Sequence, residues 1–291
     1  MKLVNQSFEI LEQKDFSLKG IKQFIERCGR VCYKSEDKIT DTSYEKFVDM
    51  LINRGHFRPL EFGTVYLAMP ADSIIPISRN GWAKYLSNPY SKGGKTCKVN
   101  EEVRVAITTN YRVIIENHWE DDLKYICEPT EYHPKRYTVH FIISRGIMDE
   151  FRTHVALSHL AESTRYCNYS KNKFNNVVTF IIPNWCKSLV EGSIQEYSPF
   201  EINTDEVIFM NSIQNAQNSY LSLLKAGWTP QQAREVLPLS VKSELISCGF
   251  RDAWDNFFYR RCAKDAHPMA REIAIPLQEK FKELGYIASI E

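Results

Sequence analysis

Apolar residues recur at helical spacing in two early stretches, Leu18 to Cys32 (Ile21, Phe24, Ile25, Cys28) and Ser43 to Arg54 (Phe47, Met50, Leu51). This predicts two short amphipathic helices, the second ended by Gly55. A β-rich run from Gly63 to Met69 is closed by Pro70, and another, Val103 to Glu116, follows an expected turn at Gly93-Gly94, with Ser87 to Glu102 read as a loop. Alternation through Val139, Phe141 and Ile143 predicts a strand over Arg136 to Ser144, with a helix beginning near Met148. Val177 to Pro183 reads as a short strand, Asp205 to Ala226 as a long helix ended by Gly227, and Pro230 to Leu237 as the next helix. Pro268 and Pro276 bracket a last turn or two before a C-terminal helix ending in Gly285. No repeat or linker interrupts the pattern. Strands fall mainly in the first two-thirds and helices in the last third, which predicts a single α+β domain over residues 1–291.

Composition narrows the classes. The 291 residues carry 37 Lys and Arg against 36 Asp and Glu, with 43% hydrophobic and 25% charged positions, and this excludes disordered, collagen-like and highly cationic chains. A net charge of +1 exerts no long-range pull on a polyanion, so no nucleic-acid partner is expected. No apolar run reaches the roughly 18 residues of a membrane span, and the first residues lack the pattern of a secretory leader. Eight cysteines show no CxxC spacing, so they read as reduced thiols of a cytoplasmic protein without a metal site.

Candidate chemistry concentrates between Glu150 and Tyr166, where Arg152, His154, His159, Glu162, Ser163 and Arg165 gather charged forks, imidazoles and a hydroxyl. Arg152 and Arg165 suit a phosphate, and Ser163 with Thr164 can cap a helix or hydrogen-bond an anion, although a solvated helix face would carry the same residues. Gly249 to Pro268 pairs an apolar stripe (Trp254, Phe257, Phe258) with a basic one (Arg260, Arg261, Lys264, His267), which fits an amphipathic helix and equally a nucleotide holder. Gly55 to Pro59 is a tight polar turn ahead of a strand. GxGxxG, GxxxxGK[ST], HExxH and GxSxG are all missing, so the usual dinucleotide, nucleoside triphosphate, zinc-hydrolase and serine-hydrolase readings lack their parts. Cys167 has no recognisable base and reads as an inert thiol.

The run from Glu162 to Phe174 resembles the signature region of the flavin-dependent thymidylate synthases, the ThyX family. Thr108 to Arg112 and Cys127 to His133 resemble the insertion of a longer subfamily, set at about residues 83–135, and Ala233 to Pro238 and Cys262 to Pro268 also match in order. The resemblance implies an α+β fold with an antiparallel sheet flanked by helices, assembled as a homotetramer with ligands at subunit interfaces. It implies reductive methylation of dUMP to dTMP, with methylenetetrahydrofolate as carbon donor and FAD, reduced by NADPH, as hydride carrier. Carried over by position, dUMP would meet Glu150, Glu162, Ser163, Thr164, Arg165, Arg234 and Arg261, with Ser163 and Arg261 at the chemistry. FAD would meet Cys32, His56, Arg152, His154 and Asn256.

One departure stands out. Counting back without a gap from Ser163, the family's Arg-His-Arg falls on Thr153, His154 and Val155, so only the histidine is retained. Arg152 lies one position early, which on a helix would turn its side chain by roughly 100°. Ala161 also replaces an acidic or amide residue. Two alternatives follow: a nucleotide-binding homologue that has lost FAD, and a flavoenzyme with an altered pyrimidine transfer such as hydroxymethylation.

Overall fold

The computed structural model describes residues 1–71, 81–99, 102–165, 167–171, 174–193 and 204–287; Tyr166, Asn172 and Lys173 of the signature region lie outside them. The N-terminal part contributes β1 (Lys2–Val4), β2 (Ser7–Leu11), α1 (Leu18–Tyr33) and α2 (Ser43–Asn53). Then come β3 (Thr64–Pro70), α3 (Ala83–Leu86), β4 (Lys92–Val99), β5 (Glu102–Asn110) and α4 (Tyr111–Glu116). β6 (Arg136–Ser144), α5 (Arg145–Phe151), β7 (Ser158–Ala161), β8 (Thr179–Ile181) and β9 (Gly192–Ser193) lead to α6 (Thr204–Lys225) and α7 (Pro230–Ala233). β10 (Lys242–Phe250), α8 (Arg251–Arg261) and α9 (Pro268–Glu283) follow. The architecture is mixed α+β, with antiparallel sheets flanked by helices. No helix among the described residues is long and apolar enough to cross a membrane.

The strands form three sheets, β2-β6-β10-β7, β3-β5-β4 and β8-β1-β9. The first two are antiparallel throughout, whereas β1 runs parallel to β8. β10 pairs with β6 along its whole length, Lys242 opposite Ser144 and Phe250 opposite Arg136, and with β7 from Leu245–Ala161 to Cys248–Ser158. Successive side chains of a strand point to opposite faces. Leu245 of β10 therefore joins Val139, Phe141 and Ile143 of β6 in the core beneath α5, α8 and α9, while Ile246 and Cys248 join Leu160 of β7 against Phe24, Cys28 and Val31 of α1. Both faces of the central sheet are covered, and this places chemistry on each of them.

Trp254 anchors the first core, fully buried among Phe257, Phe258 and Phe281, with its indole N–H donating to the Tyr137 carbonyl at 3.1 Å. The cysteines are all free thiols, five of them buried.

Several expectations need correction. Helices α6 to α9 dominate the last third as expected, but the nine-residue central strand β10 also lies there, where no strand was read. The expected loop at Ser87 to Glu102 contains β4, in which Gly93 and Gly94 form a bulge rather than a turn; a Cβ at Gly93 would sit 2.3 Å from the Ala106 carbonyl oxygen. The run predicted as β through Glu116 turns helical at Tyr111, because the Asn110 side chain caps the Val113 N–H at 3.1 Å. Pro276 lies inside α9 and does not divide it. The region from Arg152 to Ala161 is not a helix face: α5 ends at Phe151, a turn follows, and β7 begins at Ser158. A one-residue offset at Arg152 therefore falls in a turn, where the 100° argument does not hold.

Replacing Trp254 with Ala removes a fully buried indole and is expected to cost about 3–5 kcal/mol. Trp254→Phe keeps most of the volume but leaves the Tyr137 carbonyl without its donor, at a cost of about 1–3 kcal/mol. Urea unfolding of both variants measures the two losses, and a Trp254→Phe variant as stable as wild type would contradict the assigned hydrogen bond.

Candidate active site

The face of the sheet toward α1 carries a network of ion pairs built around two buried carboxylates, Glu162 and Glu244. Lys242 of β10 reaches Glu162, just past β7, at 2.8 Å and Glu244 at 2.6 Å. Glu244 is also paired with Lys34 at 2.7 Å and with His140 of β6 at 2.9 Å, and Lys34 extends to Glu36 at 3.0 Å. The pleat explains the meeting: Lys242, Glu244 and His140 are all even-numbered positions on the α1 side of paired strands. Lys34 arrives from the C-terminal cap of α1, where its backbone adopts a left-handed φ of 47°. Burial alone would raise the Glu244 carboxyl and lower both lysines; the His140 hydrogen bond and the two lysine charges outweigh it and hold Glu244 well below the carboxylate range, and the facing carboxylates hold both ammonium groups above the lysine range.

Beyond Glu162 the chain turns through Ser163, Thr164 and Arg165. The Ser163 N–H donates to the Cys32 carbonyl at 3.1 Å, and the Thr164 hydroxyl accepts from Arg234, 70 residues away, at 3.3 Å. Arg165 is exposed and Arg234 half-buried. Glu162, only 1% exposed, accepts from Lys242 and from the Tyr169 hydroxyl at 3.4 Å. Burial pushes the Cys32 thiol up to about 12, which makes it a poor nucleophile at neutral pH.

The opposite side holds a second group. Arg261 at the end of α8 grips the end of α5: it donates to the Glu150 carboxylate at 2.8 Å, the Glu150 carbonyl at 2.6 Å, the Thr153 hydroxyl at 3.0 Å and the His154 Nε2 at 2.9 Å. Accepting at Nε2 leaves His154 neutral, with its proton on Nδ1. His159 donates from Nε2 to the His154 carbonyl at 3.0 Å and accepts at Nδ1 from Ser247 at 2.9 Å. Burial, then the charges of Arg261 beside His154 and of Arg152 and Arg58 beside His159, hold both imidazoles down to about 4. A cleft of about 620 Å³ opens here, lined by residues including His154, Val155, Asn256, Tyr259, Arg260 and Arg261. Tyr259 is 78% and Val155 90% exposed at its rim.

The residues singled out in the sequence thus divide between two places. Cys32, Glu162, Ser163, Thr164, Arg165 and Arg234 gather on the α1 side, while Glu150, His154, Asn256 and Arg261 gather at the cleft with Thr153 and Val155. Arg152 is 49% exposed, 3.7 Å from Asp149, and His56 is exposed in the turn after α2. β7 divides the two groups, its four residues spanning roughly 13 Å. Sequence reasoning missed Lys34, His140, Lys242 and Glu244. A legible signal existed in Lys242 and Glu244, two charges at strand spacing in an otherwise small and apolar run.

The sequence model of the thymidylate synthase complementing protein family matches residues 128–284, which include most residues of both groups. The match spans more than half of the chain, and the chain belongs to that family. No curated protein matches it. Solved structures similar to it include the UMP/dUMP methylase PolB from Streptomyces cacaoi bound with 5-Br dUMP, at 14% identity and a TM-score of 0.44 over 98% of this chain and 93% of that one. The same methylase bound with 5-Br UMP gives 14% identity and a TM-score of 0.45 over 98% and 92%.

The two histidines set an acid limit on stability. Their folded-state values near 4 lie below the ordinary 6.5, so as pH falls below about 6.5 the unfolded chain takes up protons first and stability drops. The expected loss is roughly 1–2 kcal/mol per histidine by pH 5. Urea unfolding at pH 7.5, 6 and 5 measures it, and stability that holds or rises on acidification would contradict these protonation states.

Proposed function

We propose that the protein is a flavin-dependent thymidylate synthase, which methylates dUMP reductively to dTMP with methylenetetrahydrofolate as carbon source and NADPH as reductant. The observation that supports this reading is the convergence of Arg234 on Thr164 at 3.3 Å, which joins two segments that resemble nucleotide-holding motifs of the family and lie within the matched residues. In this reading Arg165 and Arg234 pair with the phosphate as permanently charged forks, and Ser163 and Thr164 add hydroxyl and backbone donors. Arg261, held by Glu150 and His154, supplies fixed positive charge toward a pyrimidine ring that becomes nucleophilic. Neither buried Cys167 nor Cys32 is needed as a nucleophile.

The cleft residues fit a flavin. Arg260 is an exposed guanidinium suited to a pyrophosphate, Asn256 is an exposed amide and Tyr259 offers a ring face, while the exposed Arg152 adjoins the lining residue Thr153. The flavin, once reduced, supplies the hydride. Arg152 and Arg260 stand in for the two arginines that Thr153 and Val155 do not provide. Cys32 lies on the other side of β7 from Asn256 and His154, and such a division is what an assembly with sites shared between subunits would close. We read the chain as one catalytic unit of a homotetramer, with residues 83–135 as an insertion. The free thiols suit the reducing cytoplasm.

The exposed Val155 in place of a guanidinium favours a second reading, a nucleotide-binding homologue without flavin. One experiment separates the two: absorbance of the purified protein after FAD addition and desalting, with NADPH bleaching and mass analysis of the product from dUMP. Retained flavin, bleaching and a mass gain of one methyl group are expected. Absent flavin with dUMP still raising Tm would replace the enzyme with the homologue, and a product heavier by a hydroxymethyl group would replace the methyl transfer.

A further inference from the structure

The ion network lies directly behind the turn read above as the phosphate holder. Lys34 and Lys242 oppose Glu162 and Glu244, so these four charges cancel, and Glu162, 1% exposed and already accepting from Lys242 and Tyr169, presents no free carboxylate to a ligand. Such a network stabilises a fold poorly. Desolvating buried ions costs about as much as their attraction returns, and well-packed apolar residues commonly do as well or better. Its distinctive property is geometric. Glu162 immediately precedes Ser163; its own N–H donates to the Glu244 carbonyl at 2.8 Å, and its carboxylate is tied to the Lys242 ammonium at 2.8 Å. Lys242 in turn bridges to Glu244, and Glu244 to Lys34 at the end of α1, whose neighbour Cys32 accepts from the Ser163 N–H. The turn is thus fastened on two sides, by a backbone bond to α1 and by an ion pair to β10.

We propose that Lys242 is a positioning residue for nucleotide binding: through its ion pair with Glu162 it sets the place of Ser163, Thr164 and Arg165 relative to Arg234, without touching the nucleotide itself. This rests on the reading of those four residues as the dUMP holder. Phosphate recognition by a fork and short hydroxyls depends on sub-ångström placement, so loosening the support weakens binding without removing any contacting group. Lys242 and Glu162 act on the turn through their shared ion pair, so their effects on dUMP binding are coupled.

The test is calorimetric titration of dUMP into the wild-type protein, Lys242→Met, Lys242→Arg, Glu162→Gln and the Lys242→Met/Glu162→Gln double variant, each checked by a thermal melt. Lys242→Met and Glu162→Gln are each expected to weaken dUMP about tenfold, Lys242→Arg to remain within about threefold, and the double variant to bind no more weakly than the weaker single one. Should Lys242→Met fail to melt cooperatively, the near-isosteric Glu162→Gln and the charge-retaining Lys242→Arg decide the matter. Glu162→Gln binding within about twofold of wild type, or losses that multiply in the double variant, overturns the proposal. A wild-type protein that does not bind dUMP overturns the nucleotide reading itself, a distinguishable result.

Discussion

Everything in this structure hangs on the pleat of β10. A strand buried on both faces must send alternate side chains to opposite sides, and here Leu245 goes to the aromatic core under α8 and α9 while Lys242, Glu244, Ile246 and Cys248 go toward α1. β6 and β7 are registered against β10, so His140 is drawn to the α1 side and His159 to the opposite one. A slip of one residue would put the lysine and glutamate into the Trp254 core, where neither would find a partner. Register is consequently enforced by charge as much as by apolar packing.

The two chemical groups differ in what their charges do. On the α1 side Lys34 and Lys242 offset Glu162 and Glu244 within the network, and Arg234, paired with Glu235 and bonded to Thr164, stands at its edge beside the exposed Arg165. On the cleft side Arg261 is committed to the end of α5, where it caps the Glu150 carbonyl and locks the His154 tautomer, while Arg260 and Arg152 face solvent. A neutral His154 beside a fixed guanidinium is a hydrogen-bonding element of constant charge across the physiological range. In the proposed reading each side of β7 supplies half of a site, which other copies of the chain would complete.

How much of this was legible in the sequence depended on the period of each segment. α1, α2, α6 and β6 show clean helical or alternating patterns and were readable. β10 was not, because a strand covered on both faces loses its alternation and its Lys, Ser and Glu positions mimic a polar loop. β4 was hidden by glycines that here form a bulge, and β7 by a cluster of charged residues suggestive of a helix face. The motif residues around Ser163 and Arg234 were identified by family resemblance, and their meeting is a matter of fold. The ion network as a whole was illegible, since its members come from four separated segments that only tertiary structure brings together; the strand spacing of Lys242 and Glu244 was its one visible trace.

The central claim is that the turn after β7, together with Arg234, forms the phosphate-holding end of a nucleotide site. Amide hydrogen exchange with and without dUMP addresses it most directly. The account predicts slowed exchange concentrated at residues 162–165 and 233–237. A dUMP complex that leaves both segments unchanged and protects only residues elsewhere would contradict it.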